Sequence, residues 1–147
     1  MKPDQPAVFA CAYTQAELPA LARRLWALWQ PAPRVWALGG PMGAGKTSLV
    51  QALVQALGYT QPVTSPTYSL VNVYHTAAGT VYHMDLHRLE TEAELLETGL
   101  ADYLEGDDIC LIEWPERILH WLPPGSVFFS LSVIDIHTRK LQLESYI

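Results

Sequence analysis

The chain has 147 residues, enough for one domain with a sizeable core, and with half of them apolar and 16% charged it is not a disordered polymer. No apolar run approaches the ~20 residues that cross a bilayer, and Met1-Lys2-Pro3-Asp4 lacks the basic-then-apolar order of a secretory leader, so a cytoplasmic protein away from membranes is expected. Nine basic residues against fifteen acidic ones give a net charge of −6, which repels phosphate backbones, so tight unaided binding of RNA or DNA is not expected.

Val8 to Tyr13 reads as a first strand. Thr14-x-x-Glu17 is then a capping-box pattern, which satisfies free N–H groups where a helix begins. That helix carries an apolar stripe at Leu18, Leu21, Leu25 and Leu28 and stops near Pro31-Ala32-Pro33. Trp26, Trp29 and Trp36 flank the stop and read as packing residues. Arg34 to Leu38 is a buried strand between prolines and glycines. Helical spacing follows at Leu49, Val50, Leu53, Val54 and Leu57, ending at Gly58. Beyond Pro62 the strand-like runs Ser69–Tyr74 and Thr80–Asp85, joined by Thr76-Ala77-Ala78-Gly79, predict a hairpin. Glu92 to Tyr103 reads as an acidic helix, Ile109 to Ile112 as a buried strand, and Val127–Ile136 and Lys140–Tyr146 as two closing strands. Alternating helices and strands predict a single α/β domain over residues 1–147. Its expected form is three layers, a mixed central sheet flanked by helices, and the glycine-rich Gly40–Thr47 between the second strand and the next helix makes it a P-loop NTPase fold.

Gly40-Pro41-Met42-Gly43-Ala44-Gly45-Lys46-Thr47 matches G-x-x-x-x-G-K-[ST], with a strand before it and a helix after it. The glycines let successive N–H groups point at phosphates, and the helix start adds its positive dipole end. Lys46 is placed to reach the β- and γ-phosphates of ATP and the Thr47 hydroxyl to ligate Mg2+. Such a loop needs an acid at a neighbouring strand end to anchor the metal. Glu113, after Ile109–Ile112, is the first candidate and Asp85 the second.

Other features leave alternatives open. Val63 to Tyr68 is either an ordinary loop or a segment that orders around the γ-phosphate. Trp114 is either core or a contact beside the nucleotide. His83, Asp85 and His87 alternate on one strand face, which invites a metal-site reading, but imidazole-rich zinc sites have more ligands at tighter helical or CxxC spacing, so a zinc site is not expected there. Nine of the fifteen acids fall between Asp85 and Asp108, as a solvated helical face or as a docking surface for a basic partner. Cys11 and Cys110 lie far apart in apolar stretches and read as free thiols.

Four segments, Gly43-Ala44-Gly45-Lys46-Thr47-Ser48, Ser65-Pro66-Thr67-Tyr68, His83 to Leu89 and Glu113-Trp114-Pro115-Glu116, occur together in this order. In them the chain resembles the TsaE family, the YjeE-like P-loop ATPases of bacterial tRNA threonylcarbamoyladenosine biosynthesis. The resemblance implies weak ATP hydrolysis alone, and action on a complex of TsaD and TsaB that ATP turnover resets between cycles. The tRNA is then met only through the partners. It also implies Mg2+ on Thr47 and Glu113, hydrolysis dependent on Asp85 and Lys46, and a switch at Ser65-Pro66-Thr67. Nucleotide contacts are implied along Gly40 and Met42 to Ser48, with the helix start at Thr14 bordering the adenine. Pro41 and His87 depart from the family pattern, which usually has aspartate and tyrosine there; Pro41 removes one loop N–H.

Two other classes share the motif. A small-molecule kinase needs a basic lid over the phosphates, and Arg88, Arg117, Arg139 and Lys140 are scattered along the chain. A nucleotide-gated interaction module without useful turnover has no need of Lys46, Thr47, Asp85 and Glu113 together. A GTPase is set aside, because the sole asparagine, Asn72, lies in Val71-Asn72-Val73-Tyr74 and not in an Asn-Lys-x-Asp segment.

Overall fold

The computed structural model describes residues 5–29, 33–61 and 70–147. Strand β1 (Ala10–Thr14) leads through a single 3-10 turn into helix α1 (Leu18–Trp29). At the junction Glu17 Oε1 accepts hydrogen bonds from the Thr14 amide and hydroxyl, each at 2.9 Å, so the expected cap is present with the hydroxyl donating. Leu18, Leu21, Ala22, Leu25, Trp26 and Trp29 are buried along one face of α1, the spacing of an amphipathic helix.

Strand β2 (Val35–Gly39), buried at all five positions, runs into the glycine loop and then helix α2 (Lys46–Ala56). The end of α2 is a left-handed glycine cap. Gly58 has φ +95°, and the Gly58 and Tyr59 amides donate to the Gln55 and Val54 carbonyls. The predicted hairpin forms from β3 (Val71–Thr76) and β4 (Gly79–Asp85), paired antiparallel.

The acidic helix departs from expectation. It is two short helices, α3 (Glu92–Glu97) and α4 (Leu100–Glu105), broken at Gly99, which has φ +75°. Helical periodicity continues across the break, but glycine leaves the αR conformation at little cost and the chain turns there. The Arg34 guanidinium, at the foot of β2, closes the far end of α4 by donating to the Tyr103 and Leu104 carbonyls and, at 3.0 Å, to that of Asp108. A cation suits the negative end of a helix.

Strands β5 (Ile109–Glu113), β6 (Val127–Val133) and β7 (Thr138–Tyr146) complete one sheet of order β1-β7-β6-β2-β5-β4-β3. Its middle, β6-β2-β5-β4, is parallel, while β7, β1 and β3 pair antiparallel outside it. Side chains alternate across β2, so Trp36 and Leu38 enter one apolar layer, under α1 and α2, and Val35 and Ala37 the other, with α3 and α4 residues. The first layer centres on Phe9, Trp29, Trp36 and Phe129 in edge and stacked contacts. The indole N–H groups of Trp26, Trp29 and Trp36 donate to Leu53 O, Tyr146 Oη and Pro33 O, which permits their burial. Both cysteines are free. Among the described residues no helix is long and apolar enough to cross a membrane. The mixed sheet between two helical layers is the expected three-layer α/β architecture.

Candidate functional site

Parallel strands β2, β5 and β4 end side by side, which puts the glycine loop, Glu113 and Asp85 at one edge of the sheet. Asp85 and Glu113 are register partners. A cleft of about 770 Å³ opens there, a volume suited to a nucleotide-sized ligand. Its walls include Thr14, the loop from Pro41 to Ser48, Asp85, Glu113 and Trp114. Gly40 does not line it. It sits beneath the loop with φ +137°, where a Cβ would lie 2.4 Å from the Leu131 carbonyl oxygen of β6. Gly43 and Gly45 also have positive φ, and the loop is closed by the Ala44 amide donating to Pro41 O at 3.2 Å. Pro41 therefore lacks an N–H but contributes its carbonyl.

Lys46 is only 5% exposed and Glu113 only 2%. The Lys46 ammonium donates to the Gly40 and Pro41 carbonyls and lies 3.8 Å above the centre of the Trp114 ring. Burial draws the pKa of this ammonium down from the ordinary lysine value, opposed by the carboxylates of Glu113, Glu116 and Asp85. The Thr47 hydroxyl donates to the Glu113 carboxylate, 3.0 Å from Oε1 and 3.2 Å from Oε2. A hydroxyl and a carboxylate at the head of a helix, next to a second carboxylate, form an all-oxygen donor set. That chemistry fits a small hard dication such as Mg2+.

Asp85 Oδ1 accepts from the His87 amide at 3.1 Å and faces His87 Nδ1 at 3.0 Å. His87, the departure from the family's tyrosine, thus sits against Asp85. Among the described residues no group of three or more His, Cys, Asp or Glu is arranged to hold a metal ion. Instead, His83 is fully buried beneath the site and reaches Glu113 Oε2 at 2.5 Å. Trp114 packs on the second apolar layer and also lines the cleft. It is the sole non-glycine residue with positive φ (57°) among those described. Ser65-Pro66-Thr67, within the Val63–Tyr68 segment, lies outside the described residues.

Several lining residues carry no motif. Tyr13 comes from the end of β1, Ile136 and His137 from the β6–β7 turn and Arg139 from the start of β7; Arg88, which belongs to the His83–Leu89 segment, joins them from beyond β4. Arg139 Nε donates to Gly43 O at 3.2 Å, so two of the arginines that are scattered in sequence converge on the cleft. The Tyr13 hydroxyl is buried without a hydrogen-bond partner among the described residues, and burial pushes its pKa up to about 12. Only the pairing β1-β7-β6-β2 brings Tyr13, Ile136, His137 and Arg139 to the loop, and no local signal in the sequence marks it.

Residues 12–142 match the family described as threonylcarbamoyl adenosine biosynthesis protein TsaE. Proteins named tRNA threonylcarbamoyladenosine biosynthesis protein TsaE are similar along much of the chain. The one from Haemophilus influenzae is 42% identical over 106 residues, 72% of this chain and 66% of that protein. The one from Treponema pallidum is 38% identical over 107 residues, 73% of this chain and 78% of that protein. The Bacillus subtilis relative is 37% identical over 73% of this chain, and again 66% of its own length is matched, just under two thirds. Among solved structures, the crystal structure of Bacillus subtilis YdiB superposes with a TM-score of 0.71 at 25% identity, covering 95% of this chain and 87% of that one. With the family pattern matched over residues 12–142 and the same fold in a solved structure, the chain belongs to the threonylcarbamoyl adenosine biosynthesis protein TsaE family.

Proposed function

We propose that this protein binds ATP with Mg2+ in the cleft and hydrolyses it slowly alone, in the service of threonylcarbamoyladenosine modification of tRNA. In this reading it acts on a TsaD–TsaB complex, and ATP turnover resets that complex between cycles. The observation that carries it is the contact of Thr47 with Glu113 at the head of α2, beside the buried Lys46 ammonium. Metabolite binding of a general kind has no need of a lysine, a hydroxyl and two carboxylates at one strand edge.

The residues divide the work as follows. Loop amides and the start of α2 receive the phosphates, and Lys46 exchanges its contacts with Gly40 and Pro41 for phosphate oxygens. Thr47 and Glu113 hold the metal, which when bound neutralises charge on the phosphates during transfer. Asp85 supplies the second carboxylate needed for hydrolysis. Ser65-Pro66-Thr67 responds to the γ-phosphate, and the Thr14 end of the cleft takes the adenine. With a net charge of −6 the protein leaves tRNA to its partners, in the cytoplasm.

The deciding measurement is the ATPase rate with and without TsaD–TsaB, together with co-elution in ATP. Stimulation and co-elution are expected. No stimulation and no co-elution would remove the partner role, and transfer of phosphate to a metabolite would make the protein a kinase.

A further inference from the structure

The search outside the motif residues leads to the group beneath them. His83 is on β4, two residues before Asp85, and has no exposed surface. A carboxylate can only accept, so Nε2 of His83 carries the proton and donates it to Glu113 Oε2 across 2.5 Å. The other ring nitrogen, Nδ1, has no partner among the described residues, and within them the bond to Glu113 is the one polar contact of the imidazole. Its ring faces that of Tyr74, centroids 6.5 Å apart and planes 27° from parallel. Glu113 would otherwise be a buried carboxylate beside a register partner of like charge, Asp85. With Oε2 held from below, Oε1 is the oxygen nearer the Thr47 hydroxyl.

We infer that His83 is a positioning residue for the metal: its Nε2–H locks the Glu113 carboxylate in the orientation that completes a dication site with Thr47. The inference rests on the reading of Thr47 and Glu113 as metal-holding residues. Groups that orient a ligating carboxylate are commonly worth about 10–100-fold in metal affinity. No local pattern distinguishes this role, because the contact runs diagonally between two strands that are adjacent only in the folded sheet.

The test compares His83→Gln, whose amide nitrogen reaches the Nε2 position, with His83→Asn, whose shorter side chain cannot reach Glu113. ADP affinity is measured by calorimetry in EDTA and in Mg2+, and Mn2+ binding to the ADP complex by electron paramagnetic resonance. In EDTA both variants are expected within about twofold of wild type. His83→Asn is expected to lose about 10–100-fold in Mn2+ affinity and most of the gain that Mg2+ gives to ADP, while His83→Gln keeps most of both. Equal metal affinity in wild type, His83→Gln and His83→Asn overturns the inference. Should His83→Asn fail to fold, His83→Leu, which keeps an apolar contact with Tyr74, is read in the same way. The underlying reading fails separately, if wild type itself binds ADP no differently in Mg2+ and EDTA.

Discussion

Two buried groups of opposite charge, Lys46 and Glu113, line the same cleft, and each is held by protein neighbours, Lys46 by the Pro41 carbonyl and Glu113 by His83. Removing either leaves a different defect. Lys46→Ala deletes the point charge that phosphates need, so ADP affinity is expected to fall below detection in calorimetry. Glu113→Gln keeps shape and the contact with Thr47 but loses the anionic oxygen, so ADP binding in EDTA persists while turnover falls by at least about 100-fold. Equal ADP affinity in wild type and Lys46→Ala would remove the site from the loop. A second residue-scale effect concerns stability. Burial pushes the Cys110 thiol up to about 11, against the opposing influence of Arg34. The folded thiol then keeps its proton where the unfolded one, near 9, has lost it. Stability from this group is whole below pH 9 and is lost as pH rises through 11, by about 2–3 kcal/mol at most. Urea midpoints across that range should fall more steeply for wild type than for Cys110→Ala.

At the scale of elements, the glycine loop is set by its neighbour strand as much as by its own motif. Gly40 stands against the Leu131 carbonyl, whereas a Cβ on Gly43 would meet nothing within 4 Å. Gly43→Ala therefore carries only the left-handed backbone cost, about 1–2 kcal/mol. Gly40→Ala must also push β6 and the loop apart, and is expected to lose more thermal stability and at least about tenfold more ADP affinity. Similar losses in the two variants would show that the Leu131 contact is not what seats the loop. The same contrast explains what was legible before folding. Lys46, Thr47, Asp85 and Glu113 are announced by short contiguous patterns or by an apolar strand leading into an acid, and the structure brings all four to one cleft. The His83–Glu113 bond, the Arg139–Gly43 bond and the Tyr13 wall were not legible, since each depends on the order in which strands pair. Secondary structure follows the same rule. Strand and helix periods locate α1, α2 and the hairpin, but the break at Gly99 is invisible to periodicity because the apolar positions Leu95, Leu96, Leu100 and Leu104 continue through it.

Across the whole molecule the two apolar layers are unequal. One is backed by α1 and α2, of twelve and eleven residues, with an aromatic centre; the other is covered by α3 and α4, of six residues each. Helices of six residues have almost no stability of their own and depend on what holds their ends. For α4 that holder is Arg34, which starts from the foot of β2, the strand that feeds the loop at its other end. Loss of the guanidinium frees the last carbonyls of α4 while leaving the loop, Glu113 and Asp85 in place. In Arg34→Met, amide hydrogen exchange is expected to accelerate about tenfold or more in residues 100–105, with exchange in α2 unchanged and ADP affinity within about twofold. With that acceleration the acidic layer would open on its own, held to the body that carries the site by the packing of Leu95, Leu100 and Leu104 once the Arg34 contacts are gone.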